Sequence, residues 1–187
     1  MSIPQSSRAK DKETIRLFFA LWPSDSVRAR IQKNQTTAAE LHNGRCLRRG
    51  NFHLTLVFLG TIPADYLTCL QTMASDVQSQ RFNLKLDHVG LFAKPKCLWL
   101  GCHEKPESLM LLAELLAQGV KSCGLSIDER QYNPHLTIMR KVTELTEFTV
   151  EPIDWSVTEF CLVKSEPVSD GVEYSVVQAW PLLPNDA

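Results

Sequence analysis

NFHLTLVFLG (Asn51–Gly60) and YNPHLTIMR (Tyr132–Arg140) share one four-residue core, His-Leu-Thr followed by Leu or Ile, at His53–Leu56 and at His135–Ile138. Apolar residues alternate with His and Thr in both, which is the two-residue period of a β-strand. His53 and Thr55 therefore share one face, as do His135 and Thr137, while the leucines and Ile138 supply packing faces. In the first stretch the alternation assigns Leu54, Leu56 and Phe58 to the packing side before Gly60 stops the run. A single His or Thr on a strand is ordinarily structural. Two copies in the same phase, 82 positions apart, require a common reason and suit one equivalent strand in each half of the chain.

Imidazole exchanges protons near neutral pH, so two of them divide the labour of displacement at phosphorus. One takes a proton from the attacking oxygen and the other gives one to the leaving oxygen. Hydroxyls two residues away on the same face can donate to nonbridging phosphate oxygens, which makes Thr55 and Thr137 candidate phosphate clamps. His42, His88 and His103 have no such repeat and read as surface or locally hydrogen-bonded residues. Cys161 and Ser165 lie in no nucleophile elbow and read as structural. Asp128 and Glu129 read as solvated loop charge.

Working outward, IRLFFAL is a short apolar strand that ends at Trp22-Pro23, after a polar leader over residues 1–14 that reads as flexible. Ser24 is placed to cap a helix carrying Val27, Ile31 and Ala38 or Leu41, although the stretch around Gln35 is polar. A second helix follows Pro63 with Leu67, Leu70, Ala74 and Val77. FNLKLDHV and CLWLGC read as strands, and Leu109, Leu112, Ala113, Leu116 and Val120 build an amphipathic helix ended by Gly124. VTEFCLVKS and VEYSVVQAWPL form a final strand pair around a turn from Glu166 to Gly171. The pattern is that of an α+β protein with two imperfectly repeated lobes over residues 15–187, meeting at a central cleft.

Twenty basic and 21 acidic side chains give a net charge of −1, so no global field holds nucleic acid nonspecifically. Local clusters remain: Arg45, Arg48 and Arg49 before the first motif, Arg140 and Lys141 after the second. The six cysteines show no CxxC pair and no zinc-binding cadence, so reduced, mostly buried thiols are expected. No phosphate loop or dinucleotide turn occurs, and the paired motifs bring no evident carboxylate or thiolate set; no cofactor and no metal are expected. No run reaches the length of a membrane span, and a cytoplasmic protein is expected. Phe18 and Phe92 are candidate rings for stacking a base.

Taken in order, IRLFFAL, FHLTLVFLG, LFAKPKCLWLGC, NPHLTIMR and the terminal Ser165, Tyr174 and Trp180-Pro181-Leu182 resemble the 2H phosphoesterases. Within them, the chain resembles the bacterial RNA 2′,3′-cyclic phosphodiesterases, also called LigT or 2′-5′ RNA ligases. That resemblance covers residues 15–183. It implies a bilobal fold with pseudo-twofold symmetry and both HxTx motifs lining one groove. It further implies hydrolysis of an RNA 2′,3′-cyclic phosphate end to a 2′-phosphate, with His135 accepting the proton of water and His53 donating one to O3′. Arg140 is implied as a phosphate contact, although in an unbroken strand a residue five beyond His135 faces away, so a bulge or strand end is required. Where the family often has an aromatic residue this chain has Cys46, amid three arginines, Arg45, Arg48 and Arg49, that suit an RNA backbone. Two other readings stay open: reversible 2′-5′ joining of RNA ends, and an RNA-end binding module without catalysis. A monomer is compatible with two lobes supplying one site.

Overall fold

The computed structural model describes residues 13–128 and 130–185. Most of the expected leader, and Glu129, lie outside them. The first strand, β1, is Thr14–Leu21, so Thr14 belongs to the sheet and not to the leader. Ser24 caps α1, Asp25–Leu41, by accepting from the Val27 N–H, as its position suggests. The short β2, Arg45–Cys46, and a single 3-10 turn at Arg49–Asn51 lead into β3, Leu54–Pro63. There follow α2 (Leu67–Ser75), β4 (Phe82–Leu86), β5 (His88–Phe92), β6 (Cys97–Gly101) and α3 (Glu107–Ser122). The last elements are β7 (Leu136–Arg140), β8 (Ile153–Val157), β9 (Glu159–Val168) and β10 (Gly171–Pro181).

Two four-stranded antiparallel sheets result, ordered β10-β9-β1-β3 and β2-β7-β6-β5, with β4 and β8 paired separately. The halves of the chain repeat: β1-α1-β3 matches β6-α3-β7. β4 runs through Asp87 into β5 as β8 runs through Thr158 into β9. The repeat is exchanged in space, however. β5, from the first half, completes the sheet of β6 and β7, while β9, from the second, completes the sheet of β1 and β3. FNLKLDHV is thus two strands in different sheets, not one. The break falls at Asp87, whose carboxylate accepts from the backbone N–H of His103. Neither half closes a core without the other.

The core is continuous between sheets and helices, with Leu17, Phe19, Leu54, Leu98, Leu112, Leu136 and Phe160 fully buried. All five apolar residues expected on α3 are buried, and Gly124 ends the helix at φ +82. The polar stretch of α1 has a structural cause. Gln35, 1% exposed, sends its side-chain N–H groups to the carbonyls of Leu47 and Ile138, and so ties α1 to both motif-bearing segments.

The cysteine expectation needs correction. Cys69 and Cys123 form a disulfide with Cα atoms 6.0 Å apart, joining α2 to the end of α3 across 54 residues. Spacing along the chain does not reveal such a pair, because packing of α2 on α3 is what brings the thiols together. Cys46, Cys97, Cys102 and Cys161 are free. Closing a loop of that length stabilises by roughly 2–4 kcal/mol. Cys69→Ser should lower the urea midpoint accordingly, and reductant should bring the parent protein to the same midpoint; coincident curves without reductant would refute this. No helix among the described residues is long and apolar enough to cross a membrane.

Candidate active site

Each histidine is fixed by its own strand entry. His53 Nδ1 lies 2.7 Å from the carbonyl oxygen of Asn51, and His135 Nδ1 lies 2.8 Å from that of Asn133. A carbonyl only accepts, so Nδ1 carries the hydrogen in both rings and Nε2 is left for chemistry. The two copies therefore share more than His-x-Thr: the unit is Asn-x-His-x-Thr, and the asparagines at 51 and 133 were visible in the sequence but not used.

Strand register decides which residues line the groove. Cross-strand partners share a face, so Ala20 opposite Thr55 and Phe18 opposite Phe58 place Phe58 on the face of Thr55. This holds because Leu56 is bulged and shifts the phase that alternation assigns. Phe58 is accordingly 48% exposed, not packed inward, with the Arg16 guanidinium 4.7 Å from its ring centroid. The second motif does the same. Trp99 opposite Thr137 and Cys97 opposite Arg140 skip Ile138, and this bulge turns Arg140 onto the face of Thr137. The bulge that Arg140 requires is therefore present, and its carbonyl, that of Ile138, is held by Gln35 and by the N–H of Leu47. By the pseudo-symmetry, Phe58 and Arg140 are equivalent positions with different chemistry.

The two motifs meet. Tyr132 donates its hydroxyl to the backbone carbonyl of Thr55 at 3.0 Å, tying the second motif's entry to the first motif. Burial pushes the phenol well above its ordinary range, so it stays a donor. His53 packs on Phe18 (centroids 4.8 Å apart), Tyr174 (5.1 Å) and Trp22 (6.0 Å, nearly parallel). His135 packs on Phe92 (4.8 Å) and Trp99 (6.3 Å). Trp99 fits because its strand neighbour is Gly90, where a Cβ would fall 2.2 Å from the indole. Phe18 is 2% exposed and so forms a wall behind His53 with no face open to a base; Phe92 is half-buried against His135.

Both imidazoles are held below their ordinary 6.5. Burial is the main cause for each, and the Asn carbonyls oppose it. His53 falls furthest, to about 4, because the nearby charges of Arg140, His135 and Arg28 add to desolvation. Arg28 is a buried cation that sequence reading passed over. It lies against the Trp22 ring, 4.9 Å from its centroid, and donates to the carbonyls of Pro23 and Arg49. His53 thus has two cations near it, Arg140 and Arg28, and burial disfavours the protonated form of both imidazoles; among the described residues Arg140 has no ion-pair partner.

The other expectations separate. Arg48 bonds Asp170 at 2.6 Å, whereas Arg49 turns towards Asp25, 3.7 Å away, on α1. His42 is buried and bonds not only the Ala38 carbonyl but also the Thr146 N–H, 104 residues away; His88 packs on Trp99 and His103, and His103 pairs with Asp87. Burial drives the Cys161 thiol up to about 12, which leaves no thiolate for attack. Asp128 pairs with Arg130.

The family model described as the 2′-5′ RNA ligase superfamily matches residues 23–168. The chain belongs to that superfamily. Among curated superfamily relatives, the RNA 2′,3′-cyclic phosphodiesterase of Escherichia coli K12 is 31% identical over 172 residues, 91% of this chain and 98% of that one. The enzyme of the same name from Thermus thermophilus is 29% identical, and the match covers 90% of both chains. The crystal structure of E. coli LigT complexed with 3′-AMP superposes with a TM-score of 0.83 at 29% identity, over 91% of this chain and 99% of that chain. These superfamily matches establish the α+β bilobal fold.

Proposed function

We propose that this protein is a metal-independent phosphodiesterase that hydrolyses RNA 2′,3′-cyclic phosphate ends to 2′-phosphates. The observation that carries the proposal is the pair of histidines with pinned Nδ1–H tautomers on two HxTx strands tied together at one groove. Its relatives' names point to the same substrate.

Water attacks phosphorus on one side and the P–O3′ bond breaks on the other. His135 takes the proton of the water and His53 supplies one to O3′, so the ring ends as a 2′-phosphomonoester beside a free 3′-hydroxyl. Thr55 and Thr137 donate to the nonbridging oxygens, and Arg140 balances the charge that gathers there. The arriving phosphate brings the anion that the groove lacks and raises the proton affinity of His53, which the free protein holds near 4. Phe58, two sheet rows from Ala20 and Thr55 on the same face, gives the adjacent base a platform. Phe58→Ala should raise KM roughly tenfold for a nucleoside 2′,3′-cyclic phosphate and Phe58→Trp should restore it, since a stacked base contributes about 1–3 kcal/mol. Unchanged kinetics in Phe58→Ala would remove the platform.

The superfamily's description favours a second reading, joining of RNA ends, in which a 5′-hydroxyl replaces water. Product analysis of a cyclic-phosphate oligoribonucleotide, with chelator, separates the two. A 2′-phosphate end even with excess 5′-hydroxyl acceptor is the expected result; a 2′-5′ linked product as the main species would make the protein a ligase. Binding without either product would leave an RNA-end binding module.

A further inference from the structure

We infer that Arg45 and Arg48 form the seat for the phosphodiester immediately 5′ of the cyclic-phosphate nucleotide, and that Asp170 fills this seat when no RNA is bound. The inference rests on the proposed RNA substrate.

Arg45 is the cross-strand partner of Arg140, so it shares the face on which Arg140 meets the groove. Neighbouring antiparallel positions lie about 5 Å apart, which sets a second cation beside the one assigned to the cyclic phosphate. In the free protein the tip of the β9–β10 hairpin supplies oxygens to Arg45 and to its neighbour Arg48. Arg48 Nη2 bonds the Asp170 carboxylate at 2.6 Å, and Arg45 Nη2 donates to the Asp170 carbonyl at 3.1 Å. Gly171 makes the approach possible, since at φ +124 a Cβ would stand 2.6 Å from Arg45 Nη2. Asp170 thus offers one carboxylate oxygen to Arg48 and one carbonyl oxygen to Arg45, and the two nonbridging oxygens of a phosphodiester can take their places. Both partners are largely open to water, at 53% and 76% side-chain exposure, and such pairs hold weakly.

The cyclic phosphate ends the RNA, so any further phosphate lies on its 5′ side. A mononucleotide has none, and chain length is therefore what the seat reads. The hairpin is also bound to the turn that leads into the first motif: Asn51 donates its side-chain amide to the Val172 carbonyl at 2.8 Å while its own carbonyl holds His53.

The test is the ratio of kcat/KM for a cyclic-phosphate tetranucleotide to that for a nucleoside 2′,3′-cyclic phosphate. Arg48→Gln should lower this ratio about tenfold and flatten the log–log salt dependence for the tetranucleotide by about 0.7, the share of one single-strand phosphate contact. Asp170→Asn should raise the ratio several-fold. Opposite signs from the two sides of one ion pair cannot come from a loosened hairpin. A ratio unchanged in both variants, or lowered in both, overturns the inference and leaves the hydrolysis standing. Parent protein that turns over neither substrate overturns the proposed hydrolysis itself.

Discussion

His135→Ala and His53→Ala should each lower turnover of a cyclic-phosphate oligoribonucleotide by about three orders of magnitude, with the fold kept intact by circular dichroism. A positioned acid or base contributes typically 10²–10⁴-fold, and neither ring has a substitute: His42, His88 and His103 are bonded or packed elsewhere. The pH dependence follows from the environment of the two rings. On the proposed assignment the reactive form of the free protein carries a proton on His53, held near 4, and none on His135, which is also lowered from 6.5. As pH rises through the higher of the two values both rings become neutral and the acid is lost; as it falls through the lower, the base is lost. The alkaline limb of kcat/KM therefore lies below pH 6.5. The limb of kcat, which reports the complex, lies higher, because the bound anion favours protonated His53. An alkaline limb of kcat/KM at or above 6.5 would show that burial does not govern these rings.

Arg140→Ala should cost about 10²–10³-fold in kcat, the scale of removing one preorganised contact to developing charge. Lysine should recover only part, because the guanidinium fork engages two oxygens at once. A second signature separates this contact from mere structural support. Among the nearby charges Arg140 depresses His53 most, so its removal moves the acid limb of kcat/KM, set by His53 near 4, upward. Gln35→Leu tests how Arg140 is aimed. Without the amide that holds the Ile138 carbonyl the bulge loses a partner, and kcat should fall with Arg140 still present. A loss in Arg140→Ala confined to KM would make Arg140 a binding group only.

Much of this site was legible because strand alternation pairs His with Thr whatever the tertiary fold. Where alternation failed, a bulge was the reason. Phe58 reads as a packing residue until Leu56 is bulged, and Arg140 reads as facing away until Ile138 is. Bulges are set by partner strands and by the groups that satisfy their carbonyls, and Gln35 stands 103 residues from Ile138. The same holds for Asp87, which diverts one apparent strand into two sheets, and for Cys69–Cys123. Two signals were present and passed over: Asn at the second position before each histidine, and a glutamine on the buried stripe of α1.

The division of labour between the two histidines is tested most directly with a cyclic phosphate whose 3′-oxygen is replaced by sulfur. A thiolate leaves without being protonated, so the acid is dispensable while the base is not. His53→Ala should hydrolyse this substrate at close to the parent rate, and His135→Ala should remain inactive. Rescue of His135→Ala instead would exchange the two roles, and rescue of neither or both would contradict paired acid–base catalysis at this groove.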